Sequence, residues 1–246
     1  LVEEAEDYVN RRNTLPRGVL KISAPTTFSR QHIAPHIPAF CERYPGIVID
    51  MQITDNFVDI IRDGFDLAIR IGELEDSTLV AKKLGNEHRV LCAAPKYLAA
   101  AGVPETLADL EAHNCLLVGA EDSWRLDGPD GAHDIRVSGN VRSNSADFVR
   151  SALLDGLGIA LRATWDVEEE IERGALQIVL PGYRGSAKNA IFAVYPCREF
   201  MPEKVHVFLK FFGEIIEMTA AAMGGTRGVD AAAEPFSVLR LSTGVG

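Results

Sequence analysis

A change of hydrophobic period within residues 58–72 constrains the fold more than any other feature of this sequence. Val58, Ile61 and Phe65 lie three to four residues apart, which predicts a helix with one buried face. Gly64 is placed to end that helix in the left-handed conformation. The run that follows, Leu67–Ile71, is apolar with little alternation, as in a parallel strand covered on both sides. The pattern therefore predicts an α/β fold, in which ligands bind beyond the carboxyl ends of the strands.

Strand-like apolar runs separated by predicted helices continue on both sides of this stretch. They lie at residues 19–24, 47–53, 80–84, 88–94, 158–161 and 191–195. A long helix is predicted over about 28–44, with Thr26 and Thr27 as candidate caps. Consecutive β-α-β units imply right-handed crossovers and a parallel sheet. Short strands on either side of the turn-forming residues 127–131 predict a hairpin, and an apolar helix at 202–218 closes the pattern.

Composition and charge exclude several classes of protein. With 246 residues, 47% of them apolar, the chain is long enough for two packed lobes. Its 35 acidic residues exceed its 25 basic ones, and the net charge of −10 argues against extensive phosphate contact by this chain. No apolar run approaches the roughly eighteen residues of a membrane span, and no signal pattern opens the sequence. We therefore expect a soluble, cytoplasmic chain.

The chemical motifs point away from catalysis and metal binding. No G-x-S-x-G nucleophile motif is present, and Gly156-Leu157-Gly158 lacks the third glycine of a dinucleotide-binding loop. His32 and His36 lie four apart but enclose Pro35, and a solvated helix face explains the acidic run at 166–172. We expect no catalytic residues, no cofactor and no metal. The four cysteines are interpreted as reduced core thiols, with pairing for oxidant sensing as the alternative.

Several segments, taken in order along the chain, resemble the effector domain of LysR-type transcriptional regulators. They are Gly18–Pro25, Phe40 with Tyr44–Gly46, Val58–Ile60, Gly64–Gly72, Leu91–Leu98, Asp109–Cys115, Gly156–Ala160 and Val205–Phe212. The resemblance covers residues 1 to about 218, and the ordered set carries it. It implies an α/β fold of two Rossmann-like lobes joined by two crossover strands, similar to the type-2 periplasmic binding proteins.

The resemblance also implies a domain layout. Its parts are the end of a linker helix at 1–17, a first lobe at 18–90 plus 196–218, a second lobe at 91–195, and a tail at 219–246. The chain is expected to cross between the lobes near 90–94 and to return near 191–195. The tail has no counterpart in the family pattern, and we expect it to be mobile.

The function that the resemblance implies is that of a ligand-sensing regulatory domain. A small-molecule effector would bind between the lobes and control DNA binding by an N-terminal winged helix-turn-helix that this sequence lacks. The expected partners are the effector and further copies of the chain, in a homodimer or a higher homo-oligomer. DNA would be bound only through the missing domain, and no contact with a membrane is expected.

The effector site is predicted between the lobes, at strand ends and helix starts. The candidate residues are Thr26, Thr27, Phe28, Asp55, Asn56, Arg70, Ile71, Gly72, Trp124, Asn144, Ser145 and Leu161. The helix N-termini after Thr26 and Asn144 would turn positive dipole ends toward the cleft, where Arg70 would add a charge. These features favour a small ligand with a carboxylate or a similar anionic group. Arg70 and Arg125 could equally form ordinary ion pairs.

Two other classes of function are compatible with the sequence. A stand-alone solute-binding protein of similar fold is the main alternative, since its signal peptide could have been cleaved. The linker-like N-terminus and the four widely spaced cysteines weigh against it. An enzyme on a related two-lobe fold would need an acid, a base or a cofactor-attachment residue, and the sequence presents no such residue in a recognisable motif.

Overall fold

Two mixed β-sheets, each with helices packed on it, divide the protein into two lobes. The computed structural model describes residues 15–74, 78–120, 122–197, 201–223 and 238–240. The chain builds most of the first lobe, crosses to the second and then returns to complete the first. The predicted α/β architecture of two lobes is therefore confirmed.

The strands and helices are labelled in chain order. The strands are β1 (Gly18–Ala24), β2 (Ile47–Ile53), β3 (Leu67–Gly72), β4 (Leu79–Asn86), β5 (Arg89–Ala93), β6 (Cys115–Val118), β7 (Ser123–Gly128), β8 (Gly131–Arg136), β9 (Arg142–Ser143), β10 (Ile159–Ala163), β11 (Gln177–Ile178), β12 (Arg184–Gly185), β13 (Ala190–Pro196) and β14 (Val238–Arg240). The helices are the helical run α1 (residues 26–43), α2 (Pro95–Ala101), α3 (Ala146–Leu154), α4 (Thr164–Glu172) and α5 (Glu203–Met223), with a 3-10 helix at Leu107–Ala112.

The first sheet has the order β14-β4-β13-β3-β1-β2 and is only partly parallel. Strand β1 runs parallel to β2 and to β3, as the β-α-β pattern predicts. Strand β13 runs antiparallel to both β3 and β4, because it brings the chain back from the second lobe. The antiparallel direction of β13 therefore marks the return of the chain from the second lobe to the first.

The closing helix α5 packs on the first sheet, as the spacing of its apolar residues predicts. The rings of Phe208 and Phe212 lie 4.3 Å apart between centroids, and both contact Phe40 of α1, at 5.4 and 6.3 Å. Val205 and Leu209 belong to the same buried cluster. This aromatic cluster joins the beginning and the end of the first lobe into one core.

The second sheet has the order β8-β7-β12-β5-β10-β6-β9, and β11 also pairs with β5. Strand β10 runs antiparallel to β5 and parallel to β6. Strands β7 and β8 form the predicted hairpin, in which Gly128 pairs with Gly131 across the turn. Trp124 of this hairpin points into the core of the second lobe, together with Leu126 and Val137.

The two passages between the lobes lie next to each other. The chain leaves the first sheet after Asn86 and enters the second at Arg89, and it returns between Gly185 and Ala190. The N–H of Glu87 donates to the carbonyl of Asn189 at 3.3 Å, which ties the outward passage to the return passage.

The boundary of the second lobe differs from the sequence prediction. Residues 191–195 were assigned to the second lobe, whereas β13 pairs with β3 and β4 in the first sheet. A strand that is apolar on both faces fits the interior of either sheet, and only the pairing partners decide between them.

The predicted helix at 58–65 is a single turn. The N–H of Asp63 donates to Asp59 O and that of Phe65 to Ile60 O, both at 2.9 Å, and Gly64 has the predicted left-handed φ of +71°. Ile60 is 4% exposed, whereas Ile61, which was assigned to the buried stripe, is 62% exposed. One turn is too short to repeat the helical period, so the buried positions follow the local turn instead.

The helical run α1 is irregular and is not capped as predicted. It comprises an α-helical turn at Thr26–Phe28, a π-helical turn at Ser29–Ile33, a 3-10 turn at Ala34–His36 and an α-helix at Ile37–Arg43. Pro35 has no N–H to donate, which explains why the regular ladder is interrupted here. Pro25 occupies the N-cap position, and neither Thr26 nor Thr27 makes a side-chain cap.

Two predicted segments lie partly outside the described residues. Of the predicted linker stump at 1–17, only residues 15–17 are described. Within the predicted tail at 219–246, α5 continues to Met223, and β14 pairs antiparallel with β4 through Leu239 and Ala81. The remaining tail residues are outside the described part, so their predicted mobility stays a prediction.

The four cysteines divide into two kinds, and none of them is in a disulfide. Cys92 of β5 and Cys115 of β6 are buried, as core thiols should be, whereas Cys41 and Cys197 are exposed. Burial raises the thiol pKa of both Cys92 and Cys115 to about 12. A thiol with a raised pKa stays protonated and unreactive at neutral pH.

The position of Ile60 and Ile61 gives a matched test of the turn at residues 60–64. Ile60→Ala should lower the free energy of unfolding by about 2–5 kcal/mol because it opens a cavity in the core. Ile61→Ala should change it by no more than about 0.5 kcal/mol, since its side chain faces solvent. Urea unfolding of both variants measures the difference. Similar losses in the two variants would support the longer helix expected from the sequence.

The thiols offer a second test. At a pH near the ordinary thiol pKa of about 8.5, a colorimetric thiol reagent should modify Cys41 and Cys197 in the folded chain and all four cysteines after unfolding. Cys92 and Cys115 should stay unmodified because they are buried and protonated. The double variant Cys41→Ser/Cys197→Ser is the control and should show no fast reaction when folded. Fast modification of that variant would contradict the burial of the two core thiols.

Candidate functional site

A cavity of about 370 Å³ lies between the two lobes, within the size range of small-ligand sites. Both lobes contribute to its walls. The lining residues are Pro25, Thr27, Phe28, Thr54, Asp55, Asn56, Phe57, Arg70, Ile71, Glu87, Arg89, Val118, Ala146, Leu161, Arg162, Ala163, Trp165 and Asp166. Most of them follow a strand or begin a helix, which is where α/β folds bind ligands.

Arg70, at the exit of β3, is the cation that the first lobe contributes to the cavity. Its guanidinium carbon lies 5.5 Å from the centre of the Phe57 ring. Its Nη2 is buried and has no hydrogen-bond partner among the described residues. Burial lowers the pKa of Arg70 from its ordinary value, although an arginine stays charged at any physiological pH. The site therefore holds a partly desolvated positive charge with a free donor.

Asp55, in the loop after β2, bridges the two lobes. Its Oδ1 accepts from the N–H of Thr26 at 2.8 Å, and its Oδ2 accepts from the N–H of Ala146 at 3.4 Å. Thr26 begins α1 in the first lobe, and Ala146 begins α3 in the second. Both helix starts, which we expected to face a ligand anion, thus face a carboxylate of the protein itself.

Polar contacts beside Asp55 also cross the cleft. The Asn144 Nδ2 donates to Asn56 Oδ1 at 3.1 Å. The Thr27 hydroxyl donates to Asp147 Oδ1 at 3.0 Å, and Arg30 Nη2 reaches the same oxygen at 3.3 Å. Thr27 and Asn144, two of the predicted ligand contacts, are therefore engaged in contacts between the lobes.

The second lobe supplies a buried charge cluster. Arg162, at the end of β10, donates to Asp166 of α4 through both Nε, at 2.8 Å, and Nη2. The two residues are only 5% and 2% exposed. Arg150 of α3 also lies beside Asp166, with its Nε 3.4 Å from Asp166 Oδ1. A buried ion of this kind is stable only when it is paired, so this cluster holds its charges in fixed positions.

Glu87 and Arg89 lie where the chain enters the second lobe. The Arg89 Nε is 3.7 Å from Glu87 Oε2, which makes a weak ion pair. Burial raises the pKa of Glu87, and the charges of Arg89 and Arg162 oppose that increase. The Arg89 Nε has no hydrogen-bond partner among the described residues. This corner of the cavity therefore offers a second donor next to a carboxyl group.

An aromatic contact between the lobes forms another wall. Trp165 of α4 packs edge-on against Phe28 at 5.5 Å and against His32 at 5.1 Å between ring centroids. Burial lowers the pKa of His32, as does the neighbouring His36, whereas Asp166 raises it. The Trp165 indole N–H is buried, and among the described residues it has no acceptor.

The structure brings most of the predicted site residues to the cavity. Seven line it: Thr27, Phe28, Asp55, Asn56, Arg70, Ile71 and Leu161. Thr26, Asn144 and Ser145 lie just outside it, where Ser145 caps α3 by accepting from the N–H of Phe148 at 3.3 Å. Whether these residues contact an effector stays a prediction.

Two predicted residues do not reach the cavity. Trp124 is 7% exposed and fills the core of the second lobe, because alternation along β7 turns its side chain inward. Gly72 ends β3 with a φ of +138° and faces Asn189 rather than the cavity. Arg125, the other candidate anion binder, forms an exposed ion pair with Glu73 at 3.1 Å.

Five cavity residues with charged or indole side chains are absent from the site predicted from the sequence. They are Glu87, Arg89, Arg162, Trp165 and Asp166. Arg162 lies at the end of β10 and Trp165 and Asp166 follow that strand, so the same strand-end rule that selected Arg70 could have found them. Glu87 and Arg89 lie at the passage between lobes, which no local pattern marks.

The structure gives no sign of a metal site or a membrane span within its described ranges. No group of three or more histidine, cysteine, aspartate or glutamate side chains there is arranged to hold a metal ion. The described helices include none that is both long and apolar enough to cross a bilayer.

Known proteins resemble this chain over most of its length. The model of the LysR substrate binding domain matches residues 13–216. The transcriptional regulator DmlR of Escherichia coli K12 is 37% identical over 214 residues, which cover 85% of this chain and 69% of DmlR. The transcriptional activator TtdR of the same strain is 35% identical over 209 residues, covering 83% and 67%.

Solved structures agree with this similarity. The regulatory domain of CrgA, a LysR-type transcriptional regulator from Neisseria meningitidis, superposes with a TM-score of 0.72 at 30% identity. The match covers 82% of this chain and all of that domain. The two-lobe arrangement expected from the sequence is therefore shared with a solved regulatory domain, and the named relatives are regulators of transcription rather than enzymes.

The buried pair Arg162–Asp166 yields a stability prediction. Asp166→Asn removes the anion that is hydrogen-bonded to the buried Arg162, so we expect the free energy of unfolding to fall by about 3–5 kcal/mol. The control is Glu73→Gln, which breaks the exposed pair with Arg125 and should cost no more than about 1 kcal/mol. Thermal or urea unfolding of both variants at neutral pH measures the contrast. Equal stability of the two variants would show that the charge cluster is not sequestered from water.

Proposed function

Because this chain belongs to the LysR family and matches the substrate-binding domain of that family, we propose that it senses a small anionic effector in the cavity between its two lobes. The domain is a regulatory, effector-binding one, and the chemistry of the effector is the new part of the proposal. Arg70 carries it. A buried, charged N–H group without an acceptor is costly, and a carboxylate of a ligand would remove that cost.

The other charges of the cavity support an anion at Arg70. Arg162 is matched by Asp166, and Arg89 lies beside Glu87. Arg70 packs on the ring of Phe57, which does not neutralise its charge. The Arg89 Nε and the Trp165 indole N–H are also buried donors without acceptors among the described residues. A ligand rich in acceptor oxygens satisfies this set of donors.

The placement of the anion differs from the sequence-based expectation. The sequence favours the helix N-termini after Thr26 and Asn144 for the anionic group, but Asp55 accepts hydrogen bonds from the N–H groups of Thr26 and Ala146 at these helix starts. Arg70 is therefore the favoured anchor. Hydroxyl or amino groups of the effector can pair with the carboxylates in the cavity, among them Glu87 and Asp166.

The setting of the domain is part of the same proposal. The matched relatives are named HTH-type regulators, and the matched stretch covers 69% and 67% of DmlR and TtdR. We infer that DNA recognition resides in a winged helix-turn-helix outside these 246 residues, in a cytoplasmic homodimer or higher oligomer. The acidic net charge of −10 favours this division of roles, because it opposes DNA contact by the sensing domain itself.

Ligand binding should be detected first by thermal shift. A panel of small carboxylates, matched amines and neutral sugars is screened, since a ligand that binds the native state raises the unfolding temperature. Arg70→Met should weaken binding of any carboxylate hit by about 10- to 150-fold, because it removes a charged hydrogen bond. Arg125→Met is the matched control, an exposed arginine outside the cavity, and should bind as the parent chain does.

Two results would contradict the proposal. One is a set of hits confined to amines or neutral sugars. The other is a carboxylate hit whose affinity, measured by calorimetry, is the same in Arg70→Met and Arg125→Met.

A further inference from the structure

Two carboxylates cross the cleft in opposite directions. Asp55 of the first lobe reaches the N–H of Ala146 at the start of α3, while also holding the N–H of Thr26 in its own lobe. Asp147 of the second lobe accepts from the Thr27 hydroxyl at 3.0 Å and from Arg30 at 3.3 Å, both in the first lobe. Each lobe therefore contributes a carboxylate that accepts hydrogen bonds from donors on the other lobe.

We propose that Asp55 and Asp147 form a reciprocal clasp that holds the lobes together. Asp55 acts in it as an internal anion, because its carboxylate takes the position at the start of α3 that an external anion would otherwise occupy. The clasp does not depend on which effector binds at Arg70. A ligand that places an anionic group at α3 must displace Asp55, and displacement releases one half of the clasp.

The electrostatics of α3 favour this role for Asp55. The helix has nine residues, and the free N–H groups of its first turn attract negative charge. Ser145 satisfies the N–H of Phe148, which leaves the N–H of Ala146 for the carboxylate from across the cleft. The bond between Asn144 and Asn56 adds a neutral contact beside it.

The solvent exposure of the clasp makes it reversible. The Asp147 side chain is 34% exposed and that of Arg30 57%, so water and salt weaken their attraction. Asp55 is also exposed. A contact that opens at low cost can respond to a ligand, whereas the buried pair Arg162–Asp166 cannot.

Hydrogen exchange of two backbone amides tests the clasp directly. In Asp55→Ala, the amides of both Thr26 and Ala146 should exchange about tenfold faster, because each loses a charge-assisted acceptor. Asp59→Ala is the matched control, since this carboxylate of the same loop accepts from the N–H of Arg62 at 3.0 Å within the loop. Exchange at Thr26 and Ala146 should be unchanged in the control.

The two amides separate the possible outcomes. Acceleration at both supports a carboxylate that spans the cleft. Acceleration at Thr26 alone would show that Asp55 acts only within its own lobe and would overturn the proposal, as would no acceleration at either amide. Because this measurement uses no effector, its failure leaves the proposed anion site at Arg70 to be judged by its own experiment.

Added acetate tests the second part, that Asp55 stands in for an anion. In Asp55→Ala, increasing sodium acetate should restore slow exchange at Ala146, whereas sodium chloride at the same ionic strength should not. In the parent chain, acetate should leave exchange at Ala146 unchanged, since Asp55 already accepts from that N–H. If acetate protects neither amide in the variant, the internal-anion role is wrong.

The closure of the lobes can be measured by the distance between spin labels. Labels are placed at Val48 in the first lobe and Val103 in the second, both exposed, in a background where Cys41 and Cys197 are serine. The double variant Asp55→Ala/Asp147→Ala should gain a population at longer distance, and Asp59→Ala should not. Identical distance distributions in all three chains would overturn the clasp.

Discussion

The return of the chain through β13 is the constraint on which the rest of the structure depends. This strand lies between β3 and β4 in the first sheet, and its residues 190–194 are buried. Its neighbours need its backbone groups as hydrogen-bond partners, so the first sheet cannot be completed before the second lobe has been traversed. The chain must therefore pass twice between the lobes, and the cavity beside these passages follows from the topology rather than from any local sequence.

Within the cavity, the balance of paired and unpaired charge decides what can bind. The pair Arg162–Asp166 is fixed by two hydrogen bonds to Asp166 Oδ2 in a buried setting, so the charge of Arg162 is already matched, and only Asp166 Oδ1 remains as an acceptor without a hydrogen-bond partner among the described residues. Both carboxylate oxygens of Asp55 accept hydrogen bonds from backbone N–H groups, one in each lobe. Arg70 differs from them because its Nη2 remains a buried donor. The chemical selectivity of the cavity therefore resides in the buried polar groups that have no hydrogen-bond partner within the described part of the protein.

The sequence was informative wherever a local pattern determines the structure. The strand Leu67–Gly72, the left-handed Gly64, the hairpin of β7 and β8 and the closing helix were all predicted from periodicity and turn residues. It failed where the geometry of a single turn, or partners distant in sequence, decide the structure. Burial of Ile60 rather than Ile61 depends on one turn, and the inward direction of Trp124 depends on the register of β7. The contacts of Asp55 join residues 29 and 91 positions away, which no pattern in the sequence reveals.

The bond between Glu87 and Asn189 has a mechanical consequence. Two connecting segments held side by side resist torsion about their common axis more strongly than one segment would, while they still permit bending. If the lobes move relative to each other, adjacent connecting segments of this kind favour the opening of a hinge over the twisting of one lobe against the other. A change at the cavity would then be expressed mainly as a change in the angle between the two lobes.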